Sequence, residues 1–270
     1  MKPFKIIFLL AFIIHISSCA QRSGFGEAYQ FSLFNNTPNE KLAEAVKNEE
    51  VETIKRLAES GKYDLNFQEP RFGRTLLMLA VGNDKLNSVK ALLKEKADVN
   101  KRDSFNLSPI LEATKYIPLK KNTAGILKEL IKYGANVNDT SFNRRDNDTL
   151  SMTVPLSEAT SNLLCTKILI DNGANIYFRN ENIYMVWYEL FFNGFENILV
   201  ARYLIVDKKF PIPSPIEGGV KGRSPDIFSL LSKINVGTDS ASQKAAQDIL
   251  EYLKKIDFPN NQVYHQGHVK

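Results

Sequence analysis

The chain has 270 residues, of which 43% are hydrophobic and 24% are charged. This length suits one elongated domain and also allows two smaller ones. The 35 basic and 30 acidic side chains nearly balance, so the net charge gives no reason to expect a nucleic-acid partner.

The amino terminus predicts a secretory signal. A short basic start, residues 1–5, precedes an apolar run over residues 6–16 that is too short to span a bilayer as a mature helix. The run leads into Ile16-Ser17-Ser18-Cys19. This sequence resembles the bacterial lipoprotein box, and the resemblance implies a signal peptide over residues 1–18 and lipidation of Cys19, for example with palmitate. The residues alone also allow an ordinary cleaved signal with an incidental cysteine.

The residues after the cysteine bear on location. Ala20 and Gln21 follow it, whereas an aspartate in the first of these positions retains lipoproteins at the inner membrane in bacteria that use this sorting rule. Its absence favours the outer membrane, with the chain facing the periplasm. Residues 19–37 are predicted to form a tether. Three apolar side chains of this segment are candidates to dock on the first repeat: Phe31, Leu33 and Phe34.

A repeated sequence motif dominates the rest of the chain. It occurs as Lys96–Asn100, Gly134–Asn138 and Gly173–Ile176. Recurrence at roughly 33–40 residues predicts stacked helical pairs, in which no pair buries its apolar face alone. Each copy follows an apolar helical stretch, which contains Val89, Leu92 and Leu93, then Leu127, Leu130 and Ile131, then Ile168, Leu169 and Ile170.

Helix starts recur with the same period, at Thr75–Ala80, Ser108–Ala113 and Pro155–Ala159. Ser108 is a good helix cap, and proline is tolerated in the first turn. These starts and the closing motif resemble the ankyrin repeat, whose unit begins with Thr-Pro-Leu-His-x-Ala and closes with Gly-Ala-Asp-x-Asn. The resemblance covers residues 38–256 and implies an all-α ankyrin-repeat solenoid of five to six helix pairs. A polar tail is expected over residues 257–270.

Two backbone positions depart from the usual residue. Lys96 stands where the repeat closes with glycine, so a left-handed backbone is expected at a lysine. Asn106 lies at the centre of a turn tip, where asparagine tolerates the left-handed conformation.

The sequence offers little catalytic chemistry. It has no Gly-x-Ser-x-Gly elbow, no phosphate-binding loop and no His-Glu-x-x-His motif. His265 and His268 are two potential metal ligands in the polar tail, but a closed zinc site needs four. We therefore expect no enzyme activity, no cofactor and no metal. Cys165 is expected to be a buried small hydrophobic residue, with a redox or nucleophilic thiol as the alternative.

The ankyrin resemblance implies a partner-binding face built from turn tips and first helices. The tip and adjacent residues that it points to are Arg71, Phe72, Arg74, Phe105, Leu107, Lys115, Tyr116, Arg144 and Arg145. Phe72 and Phe105 are either interface hot spots or packing contacts between neighbouring tips. The long tip between Asn138 and Pro155 is either a binding device or a tolerated insertion.

Carboxylates and aromatic residues suggest two further contact groups. Glutamates recur at equivalent helix positions: Glu44, Glu112, Glu158 and Glu189. They form either an acidic stripe for a basic partner, with Glu112 and Glu158 as contacts, or ordinary favourable helix chemistry. Trp187 and Tyr188 belong to an aromatic-rich unit that supplies either core residues or an anchor pocket.

Bacterial ankyrin lipoproteins of this kind are similar to immunity proteins that protect the periplasm from antibacterial effectors, including phospholipases of type VI secretion. This resemblance implies a non-catalytic protein-binding lipoprotein that occludes such an effector, held at the membrane by Cys19. One alternative is a periplasmic scaffold or assembly factor for an envelope complex or enzyme. Another is a hydrolase with an unrecognised site.

Overall fold

The computed structural model describes residues 26–115, 120–144, 150–180, 183–192, 198–213, 231 and 239–258. The chain divides into two compact units, residues 1–112 and 113–270. Among the described residues, no helix combines the length and the apolar character needed to cross a bilayer.

The first unit contains two complete helical pairs. Helices α1 (Glu40–Lys47) and α2 (Val51–Glu59) form the first, and α3 (Leu76–Gly82) and α4 (Leu86–Lys94) form the second. Within each pair the helices contact each other, and α1 also packs on α3 as α2 packs on α4. The two pairs therefore stack in register, as the repeat period predicts. Helix α5 (Pro109–Thr114) begins in this unit.

Local sequence sets the ends of these helices. Thr75 caps α3, since its hydroxyl accepts a hydrogen bond from the Met78 amide at 3.2 Å. Left-handed residues, Glu49 and Asp84, turn the chain between the helices of each pair. Lys96 ends the second pair with a φ of 72°, which confirms the left-handed backbone expected there.

The core of the first unit lies between the two pairs. A hydrogen bond crosses this interface, because the buried Ser88 hydroxyl donates to the Val46 carbonyl at 2.6 Å. The side chains that share this core are almost entirely apolar: Leu42, Val46, Ile54, Leu77, Leu79, Val81, Val89 and Leu92. Each such side chain contributes roughly 1.5–3 kcal/mol through removal from water.

Two short 3₁₀ segments precede α1, Glu27–Tyr29 and Phe31–Phe34. We call residues 27–34 the N-terminal strap. Phe34 is completely buried, and its ring lies 6.0 Å from that of Phe67. The burial of Phe34 agrees with the expectation that apolar side chains of this segment dock on the first repeat, and the tether over residues 19–37 stays a prediction. The sequence does place apolar side chains at the positions where this packing occurs.

The second unit continues with further helices and two β-hairpins. Its described residues form the end of α5, α6 (Thr123–Lys132), β1 (Ser141–Arg144), β2 (Leu150–Thr153), α7 (Pro155–Glu158), a 3₁₀ turn (Ala159–Ser161), α8 (Leu163–Asp171), β3 (Arg179–Asn180), β4 (Ile183–Tyr184), α9 (Met185–Phe192), α10 (Ile198–Arg202) with a π-helical turn (Tyr203–Asp207), and α11 (Ser240–Lys255). Helix α8 contacts α6, α7 and α10, and α10 also packs on α11. Helix pairs thus stack within this unit too.

The long tip of the second unit is an antiparallel hairpin. Strands β1 and β2 pair from Ser141 opposite Thr153 to Arg144 opposite Leu150. The sequence pattern predicts only an extended tip here, and the strands are a finding of the structure. Phe142 lies on β1 with 48% of its surface exposed.

The closing asparagines of the repeats join consecutive repeats. Asn138 accepts the Asn175 amide at 2.7 Å and donates to the Gly173 carbonyl at 3.0 Å. In the first unit, Asn66 accepts the Asp98 amide at 2.7 Å. The repeated asparagine thus satisfies backbone groups that a turn would otherwise leave without partners.

Candidate protein-binding surface

A buried ionic cluster lies beneath the turn tips of the first unit. Arg74 donates to Glu112 across 2.9 Å, and its Nε lies 3.3 Å from Asp103 Oδ2. The side chains of Arg74 and Glu112 are each 1% exposed. Because buried charges are costly unless they are paired, this cluster requires all three side chains.

Tyr29 of the N-terminal strap covers this cluster. The Arg74 guanidinium lies 4.7 Å from the centroid of the Tyr29 ring, within cation–π distance. Burial by itself would lower the pKa of Arg74, but the carboxylates of Glu112 and Asp103 and the adjacent Tyr29 side chain outweigh it and raise that pKa. Burial raises the pKa of Asp103, although its backbone donors and Arg74 act in the opposite direction.

Two buried carboxylates shape the turn tips. Glu69 accepts hydrogen bonds from the amides of Arg71, Phe72 and Arg74 at 2.8, 2.8 and 2.9 Å. One repeat later, Asp103 accepts the amides of Phe105 and Leu107, both at 2.9 Å. Each tip therefore closes around a carboxylate that satisfies its backbone donors.

The two tips are also joined to each other. The Ser104 amide donates to the Phe72 carbonyl at 2.9 Å. Gln68 donates to the carbonyls of Gly73 and Arg102 at 2.7 and 2.8 Å. Gly73 adopts a φ of +67°, and a Cβ there would lie 2.7 Å from the Ser104 hydroxyl. The close approach of the tips thus depends on a glycine.

An aromatic and cationic patch lies on these joined tips. The rings of Phe72 and Phe105 stack with centroids 6.0 Å apart and planes 27° from parallel. Phe105 remains 40% exposed, and the Arg71 guanidinium lies 4.8 Å from the centroid of Phe72. We call Arg71, Phe72 and Phe105 the tip patch. Aromatic and arginine side chains held in a fixed arrangement are the residue types that most often dominate protein interfaces.

Four predicted contact residues are interior instead. Arg74, Leu107, Glu112 and Trp187 are all buried, so these side chains do not lie on an exposed face. For Trp187 this agrees with the alternative of a core residue, and for Glu112 it disfavours the acidic stripe. Arg74 and Glu112 are placed inside because they neutralise each other there. Leu107 closes the second tip, and Trp187 fills the core of its unit because α9 is apolar around most of its circumference.

The remaining predicted contacts are distributed differently. Glu44 and Glu158 are exposed, Glu189 and Lys115 are half-buried, and Glu158 accepts the Thr153 hydroxyl at 2.6 Å. The burial of Glu112 removes that position from the proposed acidic stripe. Arg144 lies in β1 and Tyr188 in α9. Three further positions, Cys19, Tyr116 and Arg145, lie outside the described residues.

The two alternatives left open for Phe72 and Phe105 are not exclusive in the structure. The rings pack against each other, as the alternative of tip packing requires, while Phe105 keeps an accessible face.

Cys165 is buried, as expected, and burial raises the pKa of its thiol to about 11. A thiol with this pKa is a poor nucleophile at neutral pH. In the part of the chain that the structure describes, no cluster of three or more His, Cys, Asp and Glu side chains is arranged to hold a metal ion.

The carboxylates that organise the tips are not among the residues predicted from the sequence. Glu69, Asp103 and Asp139 occur one repeat apart and are all buried. Asp139 likewise accepts a tip amide, that of Thr140, at 2.9 Å. Their recurrence with the repeat period was a usable signal, because a carboxylate at the start of a turn commonly accepts the backbone amides that follow it.

Comparison with known families agrees with this architecture. Residues 42–141 match the family model for ankyrin repeats, in three copies. Together with the helical pairs of the described residues, the match confirms the predicted fold class, an all-α repeat solenoid, with ankyrin repeats over residues 42–141. Ankyrin repeats are generally non-catalytic modules that bind other proteins, so the match supports a protein-binding role for this chain. No curated protein matches the chain.

Proposed function

We propose that this chain is a non-catalytic protein-binding lipoprotein whose tip patch contacts its partner. The observation that carries the proposal is the stacked pair Phe72 and Phe105 with Arg71 alongside, held in place by buried carboxylates. Ordering flexible side chains at an interface costs free energy, so a surface that is already ordered gains affinity. The partner face is therefore an ordered aromatic edge flanked by Arg71, whose charge is paired with Glu27.

The proposed location is the bacterial cell envelope. The support is the sequence Ile16-Ser17-Ser18-Cys19, which places a cysteine after an aliphatic residue and two small residues. The signal peptide would cover residues 1–18, and acyl chains on Cys19 would hold the chain at the outer membrane, facing the periplasm. The repeat domain would cover residues 38–256 and so extend beyond the matched segment 42–141. A polar tail would follow at 257–270.

The proposed role is immunity against a periplasm-targeted antibacterial effector, with a phospholipase as one such target. Occlusion requires a surface that keeps its shape when it covers an active site, and the hydrogen bonds between the two tips of the first unit support this role. A membrane anchor would raise the effective concentration of the inhibitor where a lipase acts.

The test uses the secreted product of the neighbouring reading frame as the candidate effector. The effector is directed to the periplasm of a host that carries either this chain or its Phe105→Ala variant, and survival and binding are measured. The intact chain should protect the host and bind the effector. Loss of one interface hot spot of this type costs about 2 kcal/mol, or about 30-fold in affinity. The variant should therefore bind weakly and protect poorly.

Tyr133→Ala is the matched control, because Tyr133 is an exposed aromatic residue in the other unit and also lies beside a cation, Lys132. Equal loss of binding in both variants would contradict a role for the tip patch. A purified chain that itself hydrolyses phospholipid would contradict the non-catalytic reading. Stable association with an envelope-assembly enzyme, without protection, would instead favour the scaffold function.

A further inference from the structure

The N-terminal strap connects the region of the proposed anchor directly to the tip patch. Glu27 forms an ion pair with Arg71 of the patch. Two residues later, Tyr29 covers Arg74, and its carbonyl accepts a hydrogen bond from the Asn83 side chain at 2.9 Å. These contacts fix the start of the strap beside the patch.

The strap also fits a surface shaped to receive it. A Cβ on Gly82 would lie 2.8 Å from the Tyr29 ring, so the absence of a side chain there makes room for the tyrosine. Ala28 is buried, and Phe34 is buried against α1. The strap therefore gains packing, one cation–π contact and hydrogen bonds, rather than a single surface contact.

This docking shortens the path between Cys19 and the repeats. Eight residue steps separate Cys19 from Glu27, so a fully extended chain spans at most about 29 Å between their Cα atoms. If the chain were instead free up to Glu40, where α1 begins, 21 steps would allow a separation of up to about 75 Å. The strap removes more than half of that reach.

We infer that the strap holds the tip patch close to the membrane surface, so that its partner is a protein seated on or in that membrane. The inference rests on the proposed lipidation of Cys19. The acylated cysteine lies at the lipid surface, and Arg71 is paired with a residue only eight positions from it. A protein at the same membrane meets the patch at a high effective concentration, whereas a protein far from the membrane does not.

The test measures the distance of the patch from the membrane by energy transfer. Full-length acylated protein carrying Ser104→Cys is labelled with a donor dye and placed in phosphatidylethanolamine–phosphatidylglycerol vesicles that contain an acceptor lipid. Ser104 is exposed on the second tip, and Cys165 is buried, so labelling is selective. The same chain without Ser104→Cys is the labelling control.

The decisive comparison inserts a flexible Gly-Ser linker of about 20 residues after Ser23, which adds about 25 Å of average end-to-end distance. The parent should show strong transfer, and the linker should lower it by roughly half or more because the patch then leaves the surface. The strap variant Glu27→Lys, Tyr29→Ala should also lower the energy transfer, because the undocked strap lengthens the tether. Equal transfer from parent and linker proteins, with both bound to vesicles, would overturn the inference.

Two further outcomes separate this inference from the proposed function. If the protein carries no acyl chain and stays soluble, the proposed lipoprotein function fails first. If the soluble Cys19→Ser form binds these vesicles through its tip patch, the occupant of the patch is the lipid surface itself and the inferred protein partner is wrong.

Discussion

Arg74 and Glu112 form an ion pair of 2.9 Å inside the first unit, and neither side chain is more than 1% exposed. The pair joins the tip of one repeat to the first helix of the next. Its value lies in geometry rather than in net stabilisation, since removing two charges from water offsets much of their attraction. Removal of one partner, in contrast, lowers stability strongly, because the remaining buried charge is then neither paired nor solvated.

Removal of the Glu112 carboxylate should therefore be severe. Glu112→Ala leaves the guanidinium of Arg74 buried with one fewer countercharge, and we expect a loss of about 3–5 kcal/mol in unfolding free energy. Urea unfolding followed by circular dichroism measures this loss.

The matched control removes a surface pair. Lys55 and Glu59 lie 3.9 Å apart with side chains 45% and 58% exposed. Glu59→Ala should change the unfolding free energy by less than about 1 kcal/mol. Similar losses in the two variants would show that burial does not set the strength of the Arg74–Glu112 contact.

The same pair shows where sequence reasoning reaches its limit. Periodicity located the helical pairs, and it also placed the left-handed positions Lys96 and Asn106 correctly, because each repeat reuses the same local turns. Burial of Arg74 could not be read from its own repeat, because its partners come from the next repeat and from the strap. A charged residue at a turn tip is normally solvated, and only the assembled contacts reverse that expectation.

Docking of the strap through Phe34 agrees with the sequence-based expectation, but the contacts of Tyr29 and the hairpin of the second unit were not predicted, for similar reasons. Tyr29 lies before the first repeat, so no period marks it, and its contacts with Arg74 and Gly82 are distant in sequence. Strands β1 and β2 are four residues each, the lower limit at which alternation of polar and apolar residues indicates a strand.

Gly73 should be more sensitive to substitution than another left-handed glycine. Its φ is +67°, and that of Gly61 is +66°, but only at Gly73 does a Cβ meet neighbouring atoms within 4 Å. Gly61→Ala should cost about 1 kcal/mol for the backbone conformation alone. Gly73→Ala adds the contact with Ser104, and we expect a larger loss together with separation of the tips.

Two measurements check this comparison. Urea unfolding gives the stability difference between the two alanine variants, and partner affinity reports the arrangement of the tip patch. Gly61→Ala should leave affinity unchanged while Gly73→Ala lowers it. If the two variants lose equal stability and affinity, the close approach at Ser104 does not matter.

A double-mutant cycle between Gly82 and Tyr29 tests the docking of the strap. Alanine is a better helix residue than glycine by about 0.5–1 kcal/mol, yet a Cβ on Gly82 would lie 2.8 Å from the tyrosine ring. Gly82→Ala alone should therefore destabilise the protein or displace the strap. In a Tyr29→Ala background the clash is gone, so the same substitution should be neutral or stabilising.

The cycle is read from unfolding free energies of the four proteins. A change of sign, or a coupling of about 1 kcal/mol or more, shows that the ring occupies the space above Gly82 in solution. Additive effects within about 0.5 kcal/mol would mean that the strap is not docked there. Proteolysis of the strap gives an independent measure, since Gly82→Ala should increase cleavage near Tyr29.

Cys165 should make stability fall at alkaline pH. Burial raises the pKa of its thiol from 9.0 to about 11, so above pH 9 the unfolded chain loses this proton while the folded chain keeps it. The contribution of the neutral thiol is complete below pH 9 and is lost as the pH rises to 11. Two units of pKa correspond to at most about 3 kcal/mol.

The measurement compares the unfolding free energies of the wild type and Cys165→Ala, because lysines and tyrosines titrate in the same pH range in both proteins. Urea unfolding from pH 8 to pH 11 should show the stability advantage of the wild type shrinking across that window. A constant difference would mean that the thiol is accessible to water in the folded protein, and rapid alkylation of Cys165 by iodoacetamide at pH 8 would say the same.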